Sequence, residues 1–262
     1  MMNRESLARL RSFLKDSGIE DYDFEARIIE QDMPGRELET AKRRAMGEPL
    51  QYLLGEWEFY GLPFKVGEGV LIPRPDTETL VDAALDFLKD TASPVIIDLC
   101  SGSGCIAVTL KKLIPKACVY AIEISEDAVY YLNENIKINN VDVTVVQGDI
   151  TDPKLARRFP VNSADCIVSN PPYLTDAEMA ELQKEVTYEP SSALRGGRDG
   201  LDFYRVIPKI WGKVLKKGGL LAFEVGYRQS EAVCDILRAD GYKGMRAVKD
   251  LGGNDRVVLV NG

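Results

Sequence analysis

A doubly wound α/β domain preceded by a small helical domain is the architecture predicted for this chain of 262 residues. Three observations carry that reading. The first 50 residues show helical periodicity only. From Pro94 onward short apolar runs alternate with helical stretches, the pattern of a parallel sheet with helices on both faces. One of those runs, "VIIDLCSGSGCIAVTL", passes from a buried strand through a glycine-containing turn into a helix.

Taken in order, Leu7, Leu10, Phe13 and Leu14 share one helical face, and Phe24, Ile28 and Ile29 a second. Pro34-Gly35 breaks the pattern before a charged helix, "RELETAKRRAMGE". "EWEFYGLPFKV" predicts a short hairpin near residues 57–66, turning on Gly-Leu-Pro. A proline-rich segment then leads into a helix capped near Asp76 or Thr77, which puts the boundary of the helical domain (residues 1–75) before the α/β domain (residues 76–262). Strands are expected at "VIIDLC", "CVYAIEI", "VTVVQGD", "DCIVSN", "GGLLAFEVG" and "RVVLV".

Composition narrows the chemistry. The chain is 45% apolar and 28% charged, has no stretch approaching a membrane helix, and begins without an apolar leader. Its five cysteines form no C-x-x-C pair and read as buried free thiols of a reducing, cytoplasmic compartment. The absence of histidine argues against a zinc site and excludes every imidazole-based triad, so no metal is expected. A net charge of −8 argues against a large nucleic-acid surface.

In the glycine-rich turn, Gly102 and Gly104 remove Cβ atoms that would keep a ligand off the backbone, and the following helix offers its positive end. Nineteen residues beyond Gly104, Glu123 ends the next strand, where a carboxylate suits the hydroxyls of a ribose. The element fits a dinucleotide or S-adenosylmethionine. Asp98, at the start of the turn, would repel a pyrophosphate and suits an ammonium, which favours the second. Asp149 reads equally as an acceptor for an adenine amino group, with Ile150 against the ring, and as a turn residue.

The fourth strand of the α/β region runs into Asn170, Pro171, Pro172 and Tyr173. The prolines end strand pairing and stiffen the backbone. The Asn170 side-chain carbonyl and the Pro171 carbonyl then form two adjacent acceptors, which suit the two donors of an –NH2 group, and Tyr173 can cover a flat group that bears it. Accepting both protons raises electron density on a delocalised nitrogen and aims its lone pair at an electrophile, so positioning and electrostatics supply the catalysis.

At these residues the chain resembles the release factor glutamine methyltransferases, the HemK/PrmC family. The resemblance covers essentially the full length, through "GEPLQYLLGEWEFYGLPFKV", "LIPRPDTETLV", "DLCSGSG", "SNPPY", "EPSSALRGGRDGLDFY" and "GGNDRVV". It implies a seven-stranded, Rossmann-like methyltransferase domain behind a small helical substrate-recognition domain. It further implies methyl transfer from S-adenosyl-L-methionine to the side-chain amide nitrogen of the glutamine in the Gly-Gly-Gln motif of class 1 peptide release factors. By the same likeness Asp98, Cys100, Ser101, Gly102, Ser103, Gly104 and Glu123 bind the cofactor, Asp149 and Ile150 flank its adenine, and Asn170 to Tyr173 hold the glutamine. Arg74 and Pro75 would line the substrate channel. Cys100 stands where the family commonly has glycine. Arg195 and Arg198, in a glycine-rich segment after N-P-P-Y, are candidates to dock the partner. A monomer is the default expectation. The alternatives are an adenine-N6 methyltransferase of DNA or RNA, which shares N-P-P-Y, and a cofactor-binding module without turnover.

Overall fold

A computed structural model describes residues 4–262. Met1–Asn3, where the first amphipathic segment begins in sequence, lie outside the described residues.

Four helices open the chain: α1 (Arg4–Asp16), α2 (Tyr22–Asp32), α3 (Glu37–Ala45) and α4 (Leu50–Leu54). Their apolar faces close on one another through Leu10, Leu14, Ala26, Ile29, Met33, Ala41 and Leu50. The predicted face of α2 is corrected at Phe24, which is 58% exposed. Ala26, Ile29 and Met33 fill that face instead, at the i, i+3, i+7 spacing of one helical stripe. The polar core of this unit is Arg44, which donates to Glu25 at 2.8 and 3.1 Å and to Glu185 at 2.6 Å.

The hairpin β1 (Glu56–Phe59) and β2 (Leu62–Lys65) pairs Phe59 with Leu62, so the turn is Tyr60-Gly61 rather than Gly-Leu-Pro. Both turn residues have positive φ, 54° and 70°, the backbone that matches strand twist in a two-residue hairpin loop. Phe59 and Phe64 pack into the core of the large sheet, not into the helical unit. The apolar clusters therefore divide the chain just before the hairpin, some twenty residues ahead of the boundary read from the sequence.

The large sheet has seven strands: β3 (Val95–Leu99), β4 (Cys118–Glu123), β5 (Thr144–Gln147), β6 (Ala164–Ser169), β7 (Leu215–Glu224), β8 (Lys243–Lys249) and β9 (Asp255–Asn261). Their spatial order is β5-β4-β3-β6-β7-β9-β8, parallel except that β9 runs antiparallel to both neighbours. Helices α5 (Glu78–Leu88), α6 (Cys105–Leu113) and α7 (Glu126–Ile138) cover one face. On the other lie α8 (Pro153–Ala156), α10 (Asp202–Trp211) and α11 (Ser230–Ala239), with α9 (Asp176–Ala180) in the connection after β6.

Period-two alternation sends Ile96 into the first core and Ile97 and Leu99 into the second. The strand missed in sequence is β8, "KGMRAVK": it pairs only with β9 at the sheet edge and is mostly exposed, so it carries no apolar run. The cysteines are all free, but only Cys105 and Cys166 are buried; Cys100 and Cys234 are half-buried, and Cys118, which opens β4 at the exposed N-terminal end of the sheet, is exposed. No helix among the described residues is long and apolar enough to cross a membrane.

Candidate active site

The strand order reverses direction between β3 and β6, and open parallel sheets bind ligands where that happens. Leu99 and Ser169 are register partners at the C-terminal ends of these strands, and the Ser169 hydroxyl donates to the Leu99 carbonyl at 2.8 Å. The glycine-rich turn and N-P-P-Y thus emerge side by side. Two cavities open above them, and Asn170 lines both.

The first cavity, about 340 Å³, is bounded by Cys100, Gly102, Glu123, Asp149, Ile150 and Pro172, and on its outer side by Leu71, Pro190 and Phe203. Glu123 sits at its base. One carboxylate oxygen accepts from the Gly102 N–H at 2.8 Å, and the other from the N–H groups of Ile124 and Ser125 at 2.8 and 2.9 Å. Three backbone donors thus fix the carboxylate in place before any ligand arrives.

Asp149 serves as a turn residue through one oxygen, which accepts from the Thr151 N–H and hydroxyl at 2.8 and 2.7 Å, while the residue also lines the cavity. The backbone of Ile150 is held by Trp211, whose indole N–H donates to its carbonyl at 2.9 Å.

The turn itself divides its labour. Gly102 has φ +54° and open space where a Cβ would stand, so its backbone faces the cavity. At Gly104 (φ +81°) a Cβ would overlap Leu132 of α7; this glycine serves helix packing, not ligand approach. Cys100 has φ +61°, a conformation disfavoured for a residue with a Cβ.

Asp98, Ser101, Ser103 and Gly104 lie beneath the cavity and do not line it. Asp98 is fully buried, and burial pushes its carboxyl up to about 8. Neither carboxylate oxygen meets a donor in good geometry; the Ser101 hydroxyl turns to the Asp98 backbone carbonyl instead, at 2.9 Å.

The second cavity, about 170 Å³, is lined by Arg74, Tyr173, Val186, Leu194 and Glu224 besides Asn170 and Leu71. The Asn170 amide nitrogen donates to the Thr77 hydroxyl at 3.3 Å, which leaves its carbonyl oxygen for the site. Among the described residues no donor reaches the Pro171 carbonyl. Burial, reinforced by Glu224, pushes the Tyr173 hydroxyl up to about 12. Arg74 is paired with the buried carboxylate of Glu189, which also accepts from the Ile72 N–H at 3.0 Å. Pro75 opens the 3-10 turn Pro75–Thr77 and borders a surface groove, not either cavity.

The segment from Val186 to Gly200 roofs both cavities. It is tied to N-P-P-Y by the Leu174 N–H to the Leu194 carbonyl and the Gly196 N–H to the Leu174 carbonyl, both 2.8 Å. A Cβ on Gly196 would press on the backbone of Pro172 and Tyr173, and one on Gly200 would overlap the Tyr173 carbonyl. Glycine at these two positions lets the roof lie against the backbone of N-P-P-Y. Arg195 pairs with Asp176 at 2.7 Å, while Arg198 is exposed.

The sequence reading did not single out Thr77 as anything but a cap, and it missed Glu189, Phe203 and Glu224. Glu224 had a legible signal: like Glu123, it is an acidic residue closing an apolar strand, in "LLAFEVG".

The strand order, with a cavity at the switch point between the glycine-rich turn and N-P-P-Y, is that of a Rossmann-like methyltransferase. The family model for the methyltransferase small domain matches residues 77–198. A Fusobacterium nucleatum protein named release factor glutamine methyltransferase is 44% identical over 84% of this chain, which spans 60% of that relative. One of the same name from Thermodesulfovibrio yellowstonii is 43% identical over 84% of this chain and 78% of its own length. Among solved structures, the hMettl16 catalytic domain in complex with MAT2A 3′UTR hairpin 6 superposes with a TM-score of 0.61 at 17% identity. That match covers 85% of this chain and 81% of the other, and it speaks to the fold alone. This chain belongs to the release factor glutamine methyltransferase family.

Proposed function

We propose that this protein transfers a methyl group from S-adenosyl-L-methionine to the side-chain amide nitrogen of the glutamine in the Gly-Gly-Gln motif of class 1 peptide release factors. The observation that carries the reading is Asn170 standing on the wall shared by the two cavities, its carbonyl oxygen unclaimed.

The larger cavity fits the cofactor. It presents the Glu123 carboxylate for ribose hydroxyls, Asp149 for an exocyclic amine, Ile150 for a ring face and the open backbone of Gly102 for close approach. When bound there, S-adenosylmethionine supplies an electrophilic methyl group.

The chain's own part is to hold and orient the acceptor. Asn170 and Pro171 accept the two protons of the glutamine amide, Pro172 stiffens the mount, and the Tyr173 ring lies against the flat amide. Arg74 borders the channel and holds the roof through Glu189. Leu71 and Ala193, shared by both cavities, limit access of water to the point where they meet. No general base is required, because an amide nitrogen that has gained a methyl group and a positive charge is a strong acid.

The helical unit within residues 1–75 recognises the release factor in this reading, which is supported by the ion pair of Arg44 in α3 with Glu185, the residue just before the roof. Arg198 is the better of the two predicted docking arginines, because Arg195 is engaged by Asp176.

The test is transfer of labelled methyl to purified release factor, beside a copy with the Gly-Gly-Gln glutamine changed to alanine, and beside DNA. Label on the unmodified release factor alone is the expected result. Label on DNA, or on both forms of the release factor, would overturn the assignment of substrate.

A further inference from the structure

Glu224 is the one carboxylate of the second cavity to which the reading above gives no role. It closes β7, beside the strand that delivers Asn170, and is 1% exposed. A buried carboxylate is costly unless it is hydrogen-bonded. The Thr77 hydroxyl, itself almost fully buried, lies close enough to the carboxylate to favour its ionised form, while one carboxylate oxygen has no hydrogen-bond partner. Thr77 is also the residue that accepts from the Asn170 amide nitrogen. The three side chains come from the turn that leads into α5 and from the ends of β6 and β7, with Thr77 next to each of the other two.

A primary amide has a carbonyl on one side and an –NH2 on the other, and a half turn exchanges them at almost no steric cost. For Asn170 the two orientations are opposite in chemistry. With nitrogen on Thr77, the carbonyl is left to accept from a substrate amide. Turned over, Asn170 would point two donors at two donors. The choice follows from the hydroxyl having a single proton. While that proton is turned toward the nearby Glu224 carboxylate, Thr77 can meet Asn170 only as an acceptor, so only the nitrogen side of the amide fits.

We propose that Glu224 and Thr77 are positioning residues that lock the Asn170 amide with its carbonyl toward the substrate. The proposal rests on the second cavity being the amide-holding site.

Protonating Glu224 makes it a donor, frees the Thr77 proton to point at Asn170 and removes the lock. The groups facing Glu224 are Arg256 from β9, Arg74 and Asp76 from the segment before α5, Tyr173, Tyr204 from α10 and Cys105 from α6. Burial raises both tyrosines and the thiol, and raises Glu224 to about 7 against the pull of Thr77 and Arg256. Transfer therefore weakens as pH falls below about 7.

The test compares wild type, Thr77→Val, Thr77→Ser and Glu224→Gln in methyl transfer to release factor from acid to mildly alkaline pH, with cofactor affinity measured by calorimetry. Thr77→Val is expected to lower kcat on the order of 10- to 100-fold with cofactor affinity unchanged, and Thr77→Ser to restore most of it. Glu224→Gln is expected to lower kcat and to flatten the acid limb of the pH profile. An active wild type with Thr77→Val equally active overturns the proposal, as does Thr77→Ser losing as much as Thr77→Val. If Glu224→Gln does not fold, the Thr77 pair decides. A wild type that binds cofactor but leaves release factor unlabelled removes the underlying reading, and this proposal with it.

Discussion

The two cavities that meet at Asn170 are built on opposite principles. The larger is assembled from backbone: a glycine with open space above it, a carboxylate saturated by three N–H groups, and an isoleucine whose carbonyl is tied by Trp211. The smaller is assembled from side chains brought from distant segments, with a raised carboxylate at Glu224, one of its oxygens unpartnered, and an ion pair between Arg74 and Glu189. A backbone-built site is stiff and tolerates change outside its few contacts. A side-chain network can be mis-set by one proton or one rotated amide, and its behaviour depends on pH.

The contrast is broken most severely at the shared wall. Asn170→Ala is expected to reduce kcat by about 10²- to 10³-fold, the scale for loss of a preorganised polar contact to the reacting group, while cofactor binding persists. Single-turnover transfer together with calorimetry separates the two; equal loss of both would mean that the cavities are not functionally distinct.

On the backbone-built side, Glu123→Ala removes the anchor of three N–H groups and, with it, the proposed ribose acceptor. Cofactor affinity is expected to fall about 10- to 100-fold, read directly by titration.

The roof is a third point of attack. Gly200 has φ +74°, and an added Cβ overlaps the Tyr173 carbonyl, so Gly200→Ala is expected to cost about 1–3 kcal/mol and to raise KM for release factor more than for cofactor. A denaturant midpoint and the two KM values check this. An effect confined to cofactor would mean that the segment belongs to the larger cavity alone.

The smallest expected effect sharpens the comparison underneath the larger cavity. Asp98 has its carboxyl raised from 3.8 to about 8 by burial, so between those values the folded protein holds a proton that the unfolded chain has lost. Stability must then fall as pH rises through that window, and Asp98→Asn should flatten the slope. Denaturation midpoints across neutral pH provide the measurement. An unchanged slope would show that Asp98 is ionised in the fold.

Local chemistry was legible in the sequence because it lies within a few covalent bonds. The strand–turn–helix at Val95–Leu113, the carboxylate of Glu123 and the rigid Asn170–Tyr173 mount all announce themselves through residue type and spacing. So did the alternation that makes a parallel sheet.

Edge strand β8 did not, because an edge strand exposed to water needs no apolar pattern. Phe24 misled because charge and apolarity fix only the approximate width of a helical face, while the neighbouring helices decide which residues it buries.

The sequence by itself determined the fold class, the nucleotide-type turn and the presence of two acceptors fit to hold an amine. Tertiary structure alone decided that Gly104 serves packing while Gly102 serves the cavity, and that the glycine-rich segment after N-P-P-Y is a roof. It also decided that a threonine read as a helix cap stands between Asn170 and a buried glutamate 147 residues downstream of it. The physical reason is that hydrogen bonds and desolvation act across space. A one-dimensional pattern records which groups exist, and only the folded chain sets which of them are forced to share a proton.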